Sequence, residues 1–334
     1  MPEDNPGLIT LEHIKTITLT DSLGGEVVID SWSLVDSKGN IYCNASIRNN
    51  IGRGLSKFNN KGLFIEKIPL PEIEISLKDT TVISYPRISY AKIDNNDKIY
   101  FEPYHLFLLE DKNNHNIAAI NTHGDLLFHK SYVFPYRKIF ILSNTGEFVL
   151  MESIFTDHGM VAKIDLETGM RKFFCKRFEY PNRDLFDGNS VIFNIDKDDN
   201  ALVTFKYQNR IEKFSSSGDL IWSAIRPLNY KDNHKDLQHI IYTYKGEQRA
   251  RGELKWNTVS YSINSDREGR VWVGTILNQP DEAGIDIFDE NGYLLNRIKI
   301  EGFNSSSSIY FYQNKAVIHK PGSPDFELYK IITR

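Results

Sequence analysis

Three oxygen-bearing residues stand on alternate positions of one short segment, in the spacing that calcium-binding loops use. They are Asp196, Asp198 and Asn200 in the sequence DKDDNAL, and Ca²⁺ takes oxygen ligands from alternate residues of such loops. The segment lacks the glycine of the sharp turn and the closing bidentate glutamate. Because Asp and Asn also favour tight turns for conformational reasons, the sequence favours a structural turn over a calcium site.

The nine histidines and two cysteines form no local metal-binding pattern. No H-x-H, H-E-x-x-H or C-x-x-C spacing occurs, and there is no G-x-S-x-G motif or phosphate-binding glycine loop. Cys43 and Cys175 stand in strand-like segments and are expected to be buried free thiols, with a disulfide as the alternative. Local motifs therefore predict no metal and no cofactor, and they leave open a metal ion in a central channel.

The most basic stretch of the chain lies within residues 224–258. It holds seven lysines and arginines against four acidic residues, a local excess of +3 in a chain whose net charge is −4. Arg249, Arg251 and Lys255 beside Trp256 are the residue types that recognise anions. The segment is therefore either an anion-recognising lid or a solvated loop, and its central part, KDLQHIIYTY, is compatible with a short helix or a hairpin.

Composition limits the class of protein. The chain has 334 residues, of which 40% are hydrophobic and 12% aromatic, enough to bury a large core and typical of sheet rather than helix. The pI of about 6.2 disfavours nucleic acid as a partner. No apolar stretch reaches the ~18–20 residues of a membrane span, and the N-terminus has no signal-peptide apolar region. We expect a soluble protein, either cytoplasmic or exported with its signal removed.

A two-part pattern recurs along the chain. Its first half is an apolar strand, a tight turn rich in Asp, Asn and Gly, and a second alternating strand. The six copies occupy residues 31–45, 89–104, 138–152, 191–206, 261–275 and 309–320. The second half is a strand pair around a Gly-centred turn, with copies at residues 54–68, 116–130, 161–175, 209–223 and 284–298. The copies recur at roughly the 40–50 residues of a four-stranded propeller blade.

Three segments of this pattern carry a family resemblance: NRIEKFSSSGDLIW, REGRVWV and GIDIFDENGYLL. They resemble the NHL repeat, in which D-x-x-G-x-(I/V)-(Y/W)-V is followed by an apolar strand ending in F-D-x-x-G. The chain is similar in this respect to NHL-repeat and TolB-like propellers, which implies an all-β fold of six blades, each of four antiparallel strands. The sixth copy departs most, because its turn has no glycine, and in the second copy Asp97 takes that place.

The sixth copy contributes three strands, whereas a spare strand, LEHIKTITL at residues 11–19, precedes the first copy. Pairing the spare strand with the last copy would complete the sixth blade and remove two exposed sheet edges. We therefore expect residues 1–334 to form one domain, closed as a ring by its N-terminal strand, with residues 224–258 inserted on one face. A separate edge strand at residues 11–19 is the alternative.

In such a ring the short turns lie on one face, the bottom, and the irregular connections of each blade lie on the other, the top. Loops on a rigid scaffold commonly bind ligands, and the channel mouth is a natural pocket. The candidate ligand-binding residues of the top face are Arg48, Arg87, Tyr104, His105, Arg137, Asp157, His158, Tyr207, Arg249, Arg251 and Trp256. If a metal is held there, His105, His158 and His319 are its candidate ligands.

Two main functional hypotheses follow. The aromatic and arginine-bearing top loops, without any catalytic constellation, favour a non-enzymatic recognition or scaffold propeller that binds a protein, peptide or carbohydrate ligand. The resemblance also permits an enzyme, because related six-bladed rings include lactonases, lyases and quinoprotein sugar dehydrogenases. A metal-dependent hydrolase, lyase or lactonase-like site at the channel is therefore the alternative. RNA binding through the basic segment is the weakest hypothesis, given the acidic balance of the chain.

Overall fold

The structure is a computed structural model that describes residues 8–25, 27–46, 54–76, 81–84, 87–94, 96–104, 114–133, 140–153, 158–179, 188–233, 235–244, 247–278, 282–320 and 322–334. These ranges are built from strands β1 to β28 in chain order. Within them, the chain contains no helix that is both long and apolar enough to cross a lipid bilayer.

Most of the strands form four-stranded antiparallel sheets, the blades of a propeller. Blade 1 contains β2 (Val28–Val35), β3 (Ile41–Ser46), β4 (Leu55–Phe58) and β5 (Phe64–Ile68). Blade 2 contains β8 (Arg87–Ile93), β9 (Ile99–Tyr104), β10 (Asn114–Ile120) and β11 (Leu126–Val133). Blade 3 contains β12 (Phe140–Leu142), β13 (Phe148–Glu152), β14 (Val161–Asp165) and β15 (Arg171–Phe174).

Blade 4 contains β16 (Val191–Ile195), β17 (Ala201–Phe205), β18 (Ile211–Phe214) and β19 (Leu220–Ala224). Blade 5 contains β22 (Ser260–Ser265), β23 (Val271–Asn278), β24 (Glu282–Phe288) and β25 (Leu294–Ile298). Blade 6 contains β26 (Ser308–Tyr312), β27 (Lys315–His319), β28 (Asp325–Thr333) and β1 (Ile9–Thr18). Two further hairpins lie between blades: β6 (Ile73–Ser76) with β7 (Thr81–Ser84), and β20 (Lys235–Tyr244) with β21 (Glu247–Trp256).

The first strand of each blade is its innermost one. Strand β2 contacts both β8 and β26, and β22 contacts both β16 and β26, so these strands surround a central channel. The six sheets in a ring confirm the predicted all-β, six-bladed propeller.

The N-terminal strand closes the ring. Strand β1 pairs antiparallel with β28, from Ile9 opposite Thr333 to Thr18 opposite Asp325. Ile9 and Ile17 of β1 are buried, Ile9 among side chains of blades 5 and 6 and Ile17 among side chains of blades 1 and 6. The predicted completion of the last blade by an N-terminal strand is therefore what the structure shows, with the strand beginning two residues earlier.

The hydrophobic core is divided among the interfaces between blades. At the closure, Ile17, Phe58 and Phe326 pack with other side chains of blades 1 and 6. Trp272 of blade 5 is fully buried and packs with side chains of blade 6. Each sheet is thus covered on both faces by the neighbouring blades. Side chains on either face of a strand are therefore buried, and aromatic residues fill the space between adjacent sheets.

An aspartate begins the first turn of several blades and fixes it to the next strand. In blade 1, Asp36 accepts two backbone N–H groups of its own turn at 2.9 and 2.8 Å, and the Tyr42 hydroxyl donates to it at 2.9 Å. The same arrangement joins Asp94 to Tyr100 and Asp266 to Trp272. These bonds are the physical basis of the repeated acid-turn-aromatic pattern in the sequence.

Two of these turns place aspartate in the left-handed backbone region, where Gly39 (φ 83) serves in blade 1. Asp97 has φ 60 and Asp199 has φ 62, a conformation that costs about 1 kcal/mol for a residue with a Cβ. The Asp97 carboxylate accepts the backbone N–H and hydroxyl of Ser37 at 2.9 and 2.8 Å, and Asp199 accepts the backbone N–H of Asn144 at 2.6 Å. Each aspartate therefore joins its turn to the preceding blade, which a glycine could not do.

The structure also tests the sequence predictions for the hairpins between blades and for the two cysteines. KDLQHIIYTY forms strand β20 of a hairpin rather than a helix. The β6–β7 hairpin was not predicted at all. Cys43 and Cys175 are both buried and neither forms a disulfide, which confirms the expectation of two buried thiols.

Candidate ligand site in the central channel

A cavity of about 370 Å³ occupies the central channel. Its walls are the second halves of the inner strands and the turns that follow them, including Asp36, Asn144, Lys197 and Arg267. Because those turns define the bottom face, the cavity reaches the bottom of the ring, whereas the sequence predicted a site at the top mouth.

The polar wall of this cavity comes from one repeat position. Lys92, Asn194 and Asn264 each stand two residues before the turn aspartate of blades 2, 4 and 5, and all three line the cavity. In blades 1 and 3 the same position holds Leu34 and Ile141. The sequence reasoning missed these three residues. They could have been found by aligning the copies, because a polar residue stands at a position that is apolar in other copies. The three tripeptides are K-I-D, N-I-D and N-S-D.

Lys92 brings a positive charge to the channel wall. Its ammonium donates to the Leu142 carbonyl at 3.3 Å and to Asn194 Oδ1 at 3.4 Å, two long bonds to neutral oxygens. Within the described ranges, no carboxylate comes within 4.0 Å of its Nζ. Burial lowers the pKa of Lys92 to about 8, and the more distant charges of Asp199 and Asp94 only partly oppose that shift.

The two asparagines form a bridge between blades 4 and 5. Asn194 Nδ2 donates to Asn264 Oδ1 at 2.6 Å and to the Ile263 carbonyl at 3.2 Å. Both ends of the Asn194 amide are therefore engaged, since its oxygen accepts from Lys92. The Asn264 amide uses its oxygen in this bridge, and its Nδ2 has no acceptor in the part of the chain that the structure describes. The wall thus presents donors to the cavity.

A second polar group joins blades 1 and 6. The Ser33 hydroxyl lies 3.0 Å from the Tyr310 hydroxyl and 3.1 Å from His319 Nδ1, and His319 Nε2 lies 3.0 Å from the Ser323 carbonyl. Because a carbonyl only accepts, Nε2 carries the proton of the neutral ring, and the unprotonated Nδ1 faces the Ser33 hydroxyl. Burial lowers the pKa of His319, which keeps the ring neutral. Ser33 and Tyr310 line the cavity, so this wall is polar and uncharged.

The carboxylates around the cavity are engaged by the turns. Asp196, the first residue of the calcium-like segment, accepts the backbone N–H groups of Asp198 and Asn200 at 2.9 Å each. Its other oxygen accepts from the Asn200 amide at 3.1 Å and lies 2.8 Å from Lys213 Nζ. Both oxygens of Asp196 thus serve the turn and a neighbouring lysine, as the turn interpretation of the sequence predicts.

The first seven predicted top-face residues, from Arg48 to His158, fall into three groups. Arg48, His105, Arg137 and Asp157 lie outside the described residues. Arg87 and Tyr104 pair with each other across β8 and β9. His158 is exposed, with its ring 5.5 Å from that of Phe173 in blade 3, whereas His319 is buried in blade 6. The structure therefore does not bring His158 and His319 together, and the described residues contain no group of three or more His, Cys, Asp or Glu arranged to hold a metal.

The arginines and the tryptophan of the basic segment belong to one strand of its hairpin, β21. Arg249 pairs with Tyr242 and Arg251 with Ile240 in an uninterrupted register. The Trp256 ring stacks on Tyr207 with centroids 5.7 Å apart and planes at 23°. Tyr207 and Trp256 are thus the predicted site residues whose side chains the structure brings into contact.

A buried charge cluster of Arg226, Asp286 and Arg297 holds this segment to blade 5. Arg226 Nε lies 3.2 Å from Asp286, both side chains are 0% exposed, and Arg297 Nε lies 2.6 Å from the same carboxylate. Arg226 also donates to the Val259 carbonyl at 3.2 Å and to Ser260 Oγ at 2.5 Å. Burial lowers the pKa of Arg226 to about 10, and Asp286 opposes that shift. The cluster fixes the start of the basic segment to the ring.

No protein-family model and no curated protein matches this sequence. The class of the protein is nevertheless defined by its structure, a six-bladed β-propeller. The chain is similar to the solved structure of a member of the DUF4221 family from Bacteroides vulgatus, with a TM-score of 0.58, 12% sequence identity and coverage of 99% of this chain and 100% of that one. At that identity the likeness concerns the fold alone, and membership of the NHL family is not confirmed.

Two enzymes of the same general shape are more distant. A catalytically inactive virginiamycin B lyase from Staphylococcus aureus, solved with quinupristin, gives a TM-score of 0.49 at 12% identity over 97% of this chain and 100% of that one. A gluconolactonase from Xanthomonas campestris gives 0.42 at 12% identity over 98% of this chain and 96% of that one. Similarity at this level carries no argument about activity.

Proposed function

We propose that the protein is a recognition propeller that binds a small anionic ligand in its central channel. The observation that carries the proposal is the Lys92 ammonium, which lines a cavity of about 370 Å³ and, among the described residues, contacts only two neutral oxygens, at 3.3 and 3.4 Å. The ligand is a carboxylate or phosphate compound, or the acidic end of a glycan or peptide, small enough to enter the ring.

The Lys92 ammonium has hydrogen-bonding capacity left for a ligand. An ammonium has three donors, and the described contacts of Lys92 use two of them weakly. A charge partly withdrawn from bulk water without a counterion is unfavourable, and burial accordingly lowers the pKa of Lys92. A bound anion would supply that counterion and accept the third N–H. The Asn264 amide and the exposed Lys197 and Arg267 at the bottom opening add donors along the same path.

The size of the cavity also fits. Pockets for small ligands measure roughly 300–1,000 Å³, so about 370 Å³ accommodates a sugar acid or a small phosphate compound. A folded protein cannot enter it. A macromolecular partner would therefore be recognised through one terminal group in the channel.

The test measures thermal stabilisation by D-glucuronate and inorganic phosphate, with D-glucose as the neutral comparison. Both anions are expected to raise the melting temperature of the wild type in a concentration-dependent way, and Lys92→Met should abolish the increase. Lys61→Met, at an exposed turn outside the channel, is the matched control and should respond like the wild type. Stabilisation should weaken as the pH rises through about 8, because the anion requires the charged amine.

Equal stabilisation of the wild type and Lys92→Met would refute the channel site. Absence of any stabilisation by either anion in the wild type, up to concentrations typical of small-ligand binding, would refute the anionic ligand.

The top face supports a second candidate, recognition of a peptide or carbohydrate. The supporting observation is the stacked pair of Tyr207 and Trp256 beside the basic hairpin, with ring centroids 5.7 Å apart. Aromatic side chains with a polar edge are common anchors of binding surfaces. Oligosaccharide titration should change the fluorescence of Trp256 in the wild type and not in Trp256→Phe. An unchanged spectrum would leave the channel as the site of recognition.

The enzyme alternative makes a different prediction. A metal-dependent hydrolase, lyase or lactonase would retain a stoichiometric metal through purification, with the predicted histidines and acids as its ligands. Metal analysis of the purified protein distinguishes it from the recognition function.

A further inference from the structure

We infer that the Lys92 amine also forms a reversible covalent imine with small oxo acids in the channel, an inference that rests on the proposed function. An oxo acid carries a carboxylate and an aldehyde or ketone in one molecule. The inference follows from the kind of atoms around Nζ, from the donors beside it and from the open cavity that it faces.

The partners of Lys92 orient its lone pair. A neutral amine has two N–H groups and one lone pair, and the two described partners of Nζ, the Leu142 carbonyl and Asn194 Oδ1, are both acceptors. When both N–H groups point to these oxygens, the lone pair takes the remaining tetrahedral direction. Lys92 lines the cavity, and no further partner of its amine is found in the described ranges. The lone pair is therefore available to a molecule in the channel.

The protonation state supports the same chemistry. Only the uncharged amine is a nucleophile, and burial lowers the pKa of Lys92 to about 8. At about pH 7.5, roughly a quarter of such an amine is uncharged, against less than about 1% of an ordinary exposed lysine. The pKa of Lys163 is also lowered by burial, but its Nζ donates to the Ser216 carbonyl at 2.6 Å and lies 3.9 Å from the Phe148 ring centre. Lys163 does not line this cavity.

The neighbouring amide selects the substrate class. Asn194 connects Lys92 to Asn264. Its Oδ1 accepts from Lys92 Nζ at 3.4 Å, and its Nδ2 donates to Asn264 Oδ1 at 2.6 Å. Because Asn264 and Lys92 line the same cavity, one small molecule can present its carboxylate to Asn264 and its carbonyl group to Nζ. A simple aldehyde lacks the first contact and a simple carboxylate lacks the second, so an oxo acid uses both.

The reaction balances without an oxidant or reductant. The lone pair of Nζ forms a bond to the carbonyl carbon while the C=O π electrons move to oxygen, and a proton passes from nitrogen to that oxygen to give a carbinolamine. The C–O bond then breaks as the C=N bond forms, and the oxygen leaves with a proton from nitrogen as one water molecule. Addition of water reverses the sequence and frees the amine.

The experiment uses glyoxylate with cyanoborohydride, which reduces an imine to a stable secondary amine, and locates the product by peptide mass spectrometry. At about pH 7.5 we expect Lys92 to be labelled on the order of tenfold faster than any exposed lysine, because its neutral fraction is far larger. Lys92→Arg should remove the fast phase from the intact protein, and Lys163→Arg should leave it unchanged. Acetaldehyde, without a carboxylate, should label Lys92 more slowly.

The pH dependence separates the two proposals. Labelling should accelerate as the pH rises through about 8, whereas stabilisation by glucuronate should weaken over the same range. Labelling of Lys92 no faster than that of exposed lysines, with stabilisation still lost in Lys92→Met, would overturn the covalent step and leave the anion site standing. If stabilisation also fails, the proposed function falls with it.

Discussion

Arg226 and Lys92 are two cations withdrawn from water in different parts of the ring, and their surroundings differ. Arg226 lies between blades with Asp286 at 3.2 Å, and Arg297 shares that carboxylate. Lys92 lies on the channel wall with two neutral oxygens and a cavity beside it. The first charge is compensated inside the protein and connects two parts of the fold. The second is left for compensation from outside, which is what a binding site requires.

The largest effect is expected from removing the carboxylate of the buried charge cluster. Asp286→Asn leaves Arg226 buried without a countercharge, which should lower the free energy of unfolding by about 3–5 kcal/mol in urea denaturation. Glu290→Gln, at an exposed turn residue of the same blade, is the control and should change stability by less than about 0.5 kcal/mol. If Asp286→Asn lowers the free energy of unfolding by less than about 1 kcal/mol, Arg226 needs no internal partner. The proposed difference between Arg226 and Lys92 would then be wrong.

The substitution Lys92→Met should change the free energy of unfolding in the opposite direction. Below pH 8 the wild-type amine is charged in both the folded and the unfolded chain, so removing it should stabilise the protein by roughly 1–3 kcal/mol. Between its folded pKa of about 8 and its ordinary value of 10.5, the folded protein releases the proton that the unfolded chain retains, and the wild type gains stability. The advantage of Lys92→Met should therefore shrink as the pH rises over that interval, as urea titrations at several pH values can measure.

If Lys92→Met instead destabilises the protein at about pH 6.5, the charged lysine stabilises the fold, as Arg226 does.

The smallest effect is expected from Arg297→Met. Asp286 raises the pKa of Arg297 through their hydrogen bonds, but the Arg297 side chain is 27% exposed and its removal leaves the Arg226–Asp286 pair intact. We expect a loss of about 1 kcal/mol by urea denaturation. A loss as large as that of Asp286→Asn would show that both arginines are needed to balance the carboxylate.

The sequence predicts the fold well because the turns repeat. Glycine in tight turns and aspartate before them recur in each copy, and the alternating strands beside them define blades. Counting strands then predicts that residues 11–19 complete the last blade. The β6–β7 hairpin escaped prediction because the sequence between its two strands is LKDT, which contains neither Gly nor Asn to indicate a tight turn.

The residues of the channel site were harder to predict from the sequence than the fold. A single lysine in a strand, such as Lys92, ordinarily indicates a solvated face, and only its place in an innermost strand shows that it faces the channel. The hydrogen bond between Asn194 and Asn264 joins residues of different blades, which no local spacing reveals. The stacking of Trp256 on Tyr207 likewise joins residues 49 positions apart, which no local spacing predicts.

The strand that shuts the ring has a consequence for how the chain assembles. Strand β1 has no strand partner in the described residues until residues 325–333 are available, so a strand that precedes blade 1 in the chain is paired only after blade 6 has been synthesised. Until then, the outer edge of β28 can accept the same strand from another copy, because every hydrogen bond of the ladder would be reproduced. Refolding at high concentration thus favours strand-exchanged oligomers, and dilution favours the self-closed monomer.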